Sequence, residues 1–188
     1  MKIKLTLVSL SIMVAACLVA PLCYADNEGQ WYALAGVGKA STDIPLTSIE
    51  RIDDDDTAFE IGLGYAFNKT FSLEGSYLNF GEPTGFSFCP PDLVCVTLFT
   101  SEPVDVDGWS AAIRGTMPVS DNFSVFARLG LLAWDASASS PLLNDSGTDL
   151  LYSIGVASQI NDRVGVQVSI DNAEADISML KLGFTLGF

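Results

Sequence analysis

Two short stretches of this sequence carry residue types that could do chemistry, and the first is a run of four carboxylates. Asp53, Asp54, Asp55 and Asp56 offer the oxygen ligands that Ca²⁺ and Mg²⁺ prefer. The run lacks the interleaved glycine and terminal glutamate of a defined calcium loop. A divalent-cation site is therefore one interpretation, and a solvated acidic loop without a ligand is the other.

The second stretch is a pair of cysteines, Cys89 and Cys95, separated by five residues that include two prolines. In an oxidising compartment this spacing predicts a disulfide that stiffens a loop. A redox-active thiol pair is the alternative, but no basic residue lies nearby to favour the thiolate. Two cysteines are also too few for a structural zinc site.

The rest of the sequence contains no pattern that predicts an enzyme. The chain contains no histidine, which removes the usual general base of hydrolases and the metal sites built on imidazole. Catalysis by carboxylates alone stays open, but no paired acids occur outside the acidic loop regions. The sequence therefore predicts neither an enzyme nor a cofactor.

The N-terminus has the pattern of an export signal. Lys2 and Lys4 precede an apolar run over 5–19, and small residues before position 26 predict cleavage after Ala25. Residues 14–17 also resemble a lipobox, in which Cys17 would be lipidated and retained. The first interpretation divides the chain into a signal peptide, 1–25, and one domain, 26–188.

Charge and hydropathy restrict the partners of that domain. Removing Lys2 and Lys4 lowers the basic count from 9 to 7 against 23 acidic residues, a net charge of −16. Nucleic acid is therefore not an expected partner. The hydrophobic fraction of 49% and mean hydropathy of +0.36 are high for so acidic a soluble chain. After Ala25, however, no run approaches the roughly 18 apolar residues that a transmembrane helix needs.

The apolar residues instead recur with a period of two, which is typical of strands whose two faces meet different surroundings. From 59 to 67 every odd position is large and apolar, whereas the even positions hold Glu, Gly or Ala. Eight such segments are predicted, at 31–39, 57–67, 70–80, 107–118, 122–134, 148–160, 163–171 and 177–188. In the fifth, Phe126 and Leu132 share the parity of Arg128, which indicates a bulge or a partly apolar interior.

The connections between the segments alternate in length. Polar turns at 68–69, 120–121 and 161–162 are tight, whereas 40–56, 81–106 and 135–147 are predicted as long loops and 172–176 as a shorter one. Short turns on one side and long loops on the other are typical of barrels in the bacterial outer membrane. The sequence thus predicts an all-β, eight-stranded antiparallel up-and-down transmembrane β-barrel, with periplasmic turns and termini and extracellular loops.

A soluble eight-stranded barrel, such as a lipocalin, is the main structural alternative. It would place the large apolar residues inside and a face rich in glycine, including Gly62, Gly64 and Gly183, in water. Glycine weakens strands and gains nothing there. Inside a narrow membrane barrel it makes room for larger polar side chains, so the membrane barrel is favoured.

Several stretches resemble the OmpA-like transmembrane barrel family. The most specific is 109–134, with Pro118 before a turn, the run Arg128-Leu-Gly and then Trp134. Other matching residues lie in three of the remaining segments, the first, third and last: Trp31, Tyr32, Gly36, Gly38, Leu73, Glu74, Tyr77, 179–183 and Phe188. The resemblance implies an outer-membrane location among lipid and lipopolysaccharide, and a terminal Phe188 that the barrel-assembly machinery reads. The chain stops at Phe188, so the cell-wall anchoring of longer members is not expected.

Strand parity also predicts a charged interior. Glu60, Glu74, Arg114, Arg128 and Lys181 fall on the small-residue face, and charges enclosed in a barrel need partners. We expect an ion-pair network centred on Glu74. In the family that this chain resembles, the matching positions of the third and fourth strands form a gate, although Ala157, Ser158, Gly165 and Gln167 stand where other members carry ionisable residues.

Two classes of function follow from this interior. The first is a monomeric structural and surface-interaction protein whose loops contact lipopolysaccharide or other surfaces; the second is a narrow gated pore. An interior of eight strands is just wide enough for side chains to fill it, which favours the first.

Overall fold

The computed structural model describes residues 29–45, 50–88, 99–139, 144–174 and 177–188. The signal-peptide prediction, with Cys17 and Ala25, and the predicted disulfide of Cys89 and Cys95 lie outside the described residues. The described residues form nine strands: β1 Gln30–Pro45, β2 Glu50–Ala66, β3 Phe71–Asn79, β4 Thr84–Phe88, β5 Phe99–Pro118, β6 Phe123–Ala138, β7 Asp145–Gln159, β8 Val164–Ala173 and β9 Ile177–Gly187. Within these ranges, no helix is long and apolar enough to span a membrane.

The strands close into a barrel in which every neighbouring pair is antiparallel. β1 pairs with β2 on one side and with β9 on the other, and the order continues β9, β8, β7, β6, β5, β3, β2. β4 pairs with the same two strands as β3, namely β2 and β5, so β3 and β4 occupy one position in the wall. The eight-stranded antiparallel barrel predicted from the sequence is confirmed.

The break between β3 and β4 is a local irregularity of this wall. Asn79 pairs with Asp107 and Thr84 with Pro103, so five steps along β3 and β4 match four along β5. Gly81 has φ of 85°, a left-handed conformation that costs glycine little. The Asp56 carboxylate accepts a hydrogen bond of 2.7 Å from the Glu82 amide and thereby bridges β2 to the break.

The two ends of the barrel differ. We call the end with the short turns 67–70, 119–122 and 160–163 the turn end, and the opposite one the hairpin end. The predicted long loops were largely wrong, because β1, β2, β4, β5, β6 and β7 run through much of 40–56, 81–106 and 135–147 at the hairpin end. Polar residues on alternate outward positions made these strand segments resemble loops.

The outer surface of the wall near the turn end is an apolar belt. Its large apolar side chains are exposed, from 37% at Phe71 to 69% at Trp109, with Ile113 at 57% and Leu131 at 55%. Aromatic rings pack against one another at both edges of the belt. Their pairs are Trp31–Tyr65 and Tyr65–Phe67 near the turn end, and Phe59–Tyr77 and Tyr77–Trp109 towards the hairpin end. Such a surface suits the interior of a lipid bilayer flanked by its interfaces.

Beyond the belt, towards the hairpin end, the pattern of the wall inverts. In this part, the collar, the outward positions become polar and the inward ones apolar. On β5, for example, Asp105 points outward between Val104 and Val106, both fully buried. The outward polar residues of the collar include Lys39, Ser41, Asp55, Thr57, Asp105, Asp135 and Ser137. The collar is therefore built like a soluble barrel and the belt like a membrane barrel.

Candidate functional site

The interior of the barrel is the candidate functional site, and it has three layers along its axis. A polar vestibule opens at the turn end, a layer of buried charges lies above it, and an apolar plug fills the collar. All three layers depend on strand alternation, which brings every second side chain of each strand inward.

Arg128, on β6, makes three carboxylate contacts in the charged layer. Its Nη1 lies 3.0 Å from Glu60 Oε1 and 3.3 Å from Glu74 Oε2, and its Nη2 lies 2.8 Å from Asp171 Oδ2. The side chain is almost completely buried. The guanidinium fork has donors in a fixed plane and is suited to holding several carboxylates at once.

Lys181, on β9, closes the other side of this group. Its Nζ pairs with Glu60 and lies 2.6 Å from Asp171 Oδ2. With Arg114, the layer contains three cations and three carboxylates, all buried. This balance matters because an uncompensated charge in such a place is costly.

Arg114, on β5, is the member of the layer nearest the vestibule. Its Nη1 lies 3.1 Å from Glu74 Oε1 and 2.8 Å from Gln167 Oε1, and its Cζ lies 3.7 Å from the centre of the Phe126 ring. Tyr32 donates a hydrogen bond of 2.7 Å to Glu74 Oε1. A Cβ at Gly64 would collide with the Tyr32 ring, so glycine at 64 lets this tyrosine lie across the lumen.

The structure thus brings together all five residues that strand parity selected, but it differs from the sequence-based expectation in two respects. The centre is Arg128, with three carboxylate partners, rather than Glu74, which contacts two arginines. Asp171 was missed because the seventh predicted segment ended there and a loop was expected to follow. Its parity, shared with Gln167 and Ser169 and opposite to Val168 and Ile170, was the signal that could have found it.

The plug is a packed apolar cluster within the collar. Its larger side chains come mainly from four strands or their ends: Leu78, Phe80, Val104, Val106, Leu132, Trp134, Ile177 and Met179. Leu132 is fully buried, and β5 and β6 pair continuously from Val104–Ala138 to Pro118–Ser124 without a bulge. Of the two alternatives for the fifth predicted segment, the partly apolar interior is the one observed.

The vestibule is a cavity of about 250 Å³ that opens between the short turns. Its wall combines apolar and polar surface, with Tyr32, Ser72, Thr116, Gln159 and Thr185 among the polar lining residues, and Arg114 lies at its inner end. Water can reach the charged layer from this side, whereas the plug covers it from the other.

A known family accounts for this architecture. Residues 5–188 match the model of the outer membrane protein beta-barrel domain. The chain belongs to this family. As a member of it, the protein is a bacterial outer-membrane β-barrel, and the family resemblance inferred from the sequence is confirmed.

Solved structures agree with the family's fold. OprG of Pseudomonas aeruginosa is 11% identical with a TM-score of 0.61, covering 87% of this chain and 98% of its own. Neisserial surface protein A is 13% identical with a TM-score of 0.57, covering 86% and 100%. The N-terminal barrel domain of Pseudomonas aeruginosa OprF is 15% identical with a TM-score of 0.54, covering 86% and 100%. No curated protein sequence matches the chain.

The other candidate residues of this outer-membrane barrel lie away from the lumen network. The four aspartates, Asp53, Asp54, Asp55 and Asp56, lie on β2 and not in a loop. In the pairing of β2 with β1 they are opposite Asp43, Thr42, Ser41 and Ala40, in that order. Asp55 and Asp56, the two whose side chains the structure describes, are neighbours on a strand and so point to opposite faces, which works against a common cation site.

Two of these aspartates have other partners. The Asp55 carboxylate lies 2.6 Å from Lys39 Nζ on the outer face, and Asp56 binds the Glu82 amide. In the described part of the chain, no group of three or more potential ligands could hold a metal ion.

The C-terminal residue lies at the turn end. Phe188 is 68% exposed, and its amide donates a hydrogen bond of 3.0 Å to the Trp31 carbonyl. Its ring is therefore accessible on the outer surface of the closing strand.

Proposed function

We propose that this outer-membrane barrel is a structural and surface-interaction protein that acts through its collar and the hairpins at its rim, with a lumen closed to solutes and without enzymatic activity. The observation that carries the proposal is the plug. Packed aliphatic and aromatic side chains fill the lumen over the height of the collar, as in the core of a soluble barrel. A collar with its own core is a rigid base for contacts outside the membrane.

The proposal includes an orientation. The turn end faces the periplasm, the hairpin end faces the cell surface, and the chain is cleaved after Ala25. Outer-membrane barrels generally have short periplasmic turns, and the three turns of this chain are short.

Surface labelling in intact cells tests this orientation. In a background without Cys89 and Cys95, Ser139→Cys places a thiol at the hairpin end and Ser120→Cys places one in a short turn. Both positions are exposed, so a membrane-impermeant maleimide should label only the first before lysis and both afterwards. Labelling of the Ser120 variant alone in intact cells would reverse the orientation.

We further propose that the partners of the barrel are outer-membrane lipid, lipopolysaccharide and the barrel-assembly machinery, and that the barrel is monomeric. The apolar belt provides the lipid contact. Phe188, accessible on the outer surface, provides the signal for assembly. Deletion of Phe188 should lower the yield of folded barrel in cells while leaving refolding into detergent unchanged. Equal loss in both systems would argue for a purely structural role.

A narrow gated pore is the second candidate, favoured by the vestibule that reaches Arg114 in the charged layer. Bilayer recordings distinguish the two. A closed structural barrel should be silent, and Glu74→Ala alone should remain silent because the plug is intact. The double variant Leu132→Ala/Phe80→Ala thins the plug and should produce openings. Regular openings of the unmodified protein, increased by Glu74→Ala, would favour the pore.

A further inference from the structure

A cationic group, the Arg114 guanidinium, lies at the inner end of the vestibule. Of the six charged residues in the buried layer, Arg114 is the one that lines the cavity; its carboxylate partner Glu74 lies behind it. A molecule entering from the turn end therefore meets the guanidinium before any carboxylate of that layer.

The hydrogen bonds of Arg114 leave one nitrogen of its guanidinium group, Nη2, available. Nη1 binds Glu74 and Gln167, and Nε donates to Thr116 Oγ1 at 3.2 Å. Among the described residues, Nη2 has no hydrogen-bond partner. The side chain is held in place by these bonds and by the Phe126 ring, so its remaining donors are preorganised.

The walls supply neutral donors around this position. Thr116, Gln159 and Thr185 line the same cavity and are these donors, because the single hydroxyl proton of Tyr32 is already donated to Glu74 and Ser72 is bonded to Tyr32. At Gly165, a Cβ would lie 2.6 Å from Thr185 Oγ1 and 3.2 Å from Gln159 Oε1, so glycine lets these two side chains approach each other in the wall.

We propose that the vestibule binds a small monocarboxylate, with one carboxylate oxygen accepting from Arg114 Nη2 and the other from hydroxyl or amide donors of the wall. Five charged residues line the cavity: Arg114 at its inner end, and Lys69, Arg163, Asp121 and Asp162. Three cations against two carboxylates give a net charge of +1, which matches a single negative charge better than two. A volume of about 250 Å³ admits a small carboxylate with a few waters.

The test is an NMR titration of the folded barrel in detergent micelles with sodium acetate, against sodium chloride at equal ionic strength. Acetate should shift the Arg114 Nε–H and Thr116 amide resonances saturably, and chloride should not. Sodium phosphate at pH 7.5 is the third probe and should bind at least tenfold more weakly. Saturation by chloride at the same concentrations, or no saturable shift with acetate, would overturn the proposal.

Two variants distinguish the site from a general effect of salt. Ala157→Leu fills the vestibule from β7 without replacing a residue of the charged layer, and should weaken acetate binding about tenfold or more. Ala133→Leu makes the same change on the outer face and should leave binding unchanged. If the folded Ala157→Leu protein binds acetate as the unmodified protein does, the site is not the vestibule.

The source of the carboxylate is tested separately. A tripeptide with a free C-terminus and its C-terminal amide are compared by the same titration. Binding of the free acid as tightly as acetate would indicate that the vestibule accepts chain ends, whereas binding of acetate alone would restrict it to free small acids. Equal binding of the amide would contradict recognition of a carboxylate.

Discussion

The belt and the collar are built from the same strands with opposite patterns. In the belt, Ile113 and Leu131 point outward while Arg114 and Arg128 point inward. A few residues along β5 and β6, Asp105 and Asp135 point outward while Val106 and Trp134 point inward. The backbone pairing does not change between the two regions. What changes is the medium around the outer face, which is lipid at the belt and water at the collar. Apolar side chains therefore point outward in the belt and inward in the collar.

The largest effect should come from breaking the polar interior of the belt at Arg128. Arg128→Met leaves three carboxylates with two cations, and removal of one member of a buried ionic group typically costs about 3–5 kcal/mol. Water in the vestibule reduces this cost. Folded and unfolded barrel migrate differently on gels, so unfolding can be followed against temperature. The Arg128→Met variant should unfold at a clearly lower temperature than the unmodified protein. Arg163→Met, at an exposed turn, is the control and should melt like the unmodified protein.

Neighbouring leucines on β6 test the apolar interior of the collar. Leu132→Ala opens a cavity in the plug and should cost about 2–5 kcal/mol in the free energy of unfolding. Leu131→Ala removes the same atoms from the lipid-facing surface, where lipid fills the vacated space, so it lacks the cavity term and should cost less. Urea titrations in lipid vesicles measure both. Equal costs would mean that the collar has no packed core.

The boundary between the belt and the collar on the outer surface is tested by one lysine substitution on each side of it. Ile113→Lys places a charge on the belt, where lysine costs about 2–4 kcal/mol at the bilayer midplane. Thr57→Lys, on the outward face of the collar, should change the free energy of unfolding by less than about 0.5 kcal/mol. The difference should be larger in vesicles than in detergent. A similar penalty at both positions would place Thr57 in the bilayer and move the boundary.

The smallest effect concerns the outer face of the collar, where Asp55 meets Lys39. The hydrogen bond from Lys39, followed by one from Ser41, lowers the pKa of Asp55 below its ordinary 3.8. Because the folded-state pKa is the lower one, the stabilisation is present above pH 3.8 and is lost as the pH falls through the folded value. An NMR pH titration should give a lowered pKa that returns towards 3.8 in Lys39→Gln. The two side chains are exposed, so melting at neutral pH should barely differ.

The sequence predicted the barrel, its eight wall strands and the five charged residues because a period of two is a strong signal where one face meets lipid. It did not predict the collar. There the outward residues are Asp, Ser and Thr, as they are in real loops, and only the inward partners Val104, Val106 and Ala136 carried the strand pattern. Asp171, an inward residue, was missed because it was the last residue of the seventh predicted segment. The separation of β4 from β3 depends on Gly81, Pro83 and a carboxylate from β2, a combination that local sequence does not reveal.

The charged layer has a consequence for how the barrel assembles. Its six charged residues come from six strands, and Tyr32 and Ser153 add hydrogen bonds from β1 and β7. The set is complete only when β9 has met β1, since Lys181 is on the last strand and its partner Glu60 is on the second. A sheet that is still open would hold unpaired charges facing the bilayer. Folding should therefore be cooperative, with insertion and closure in a single kinetic step and no stable, partly inserted sheet.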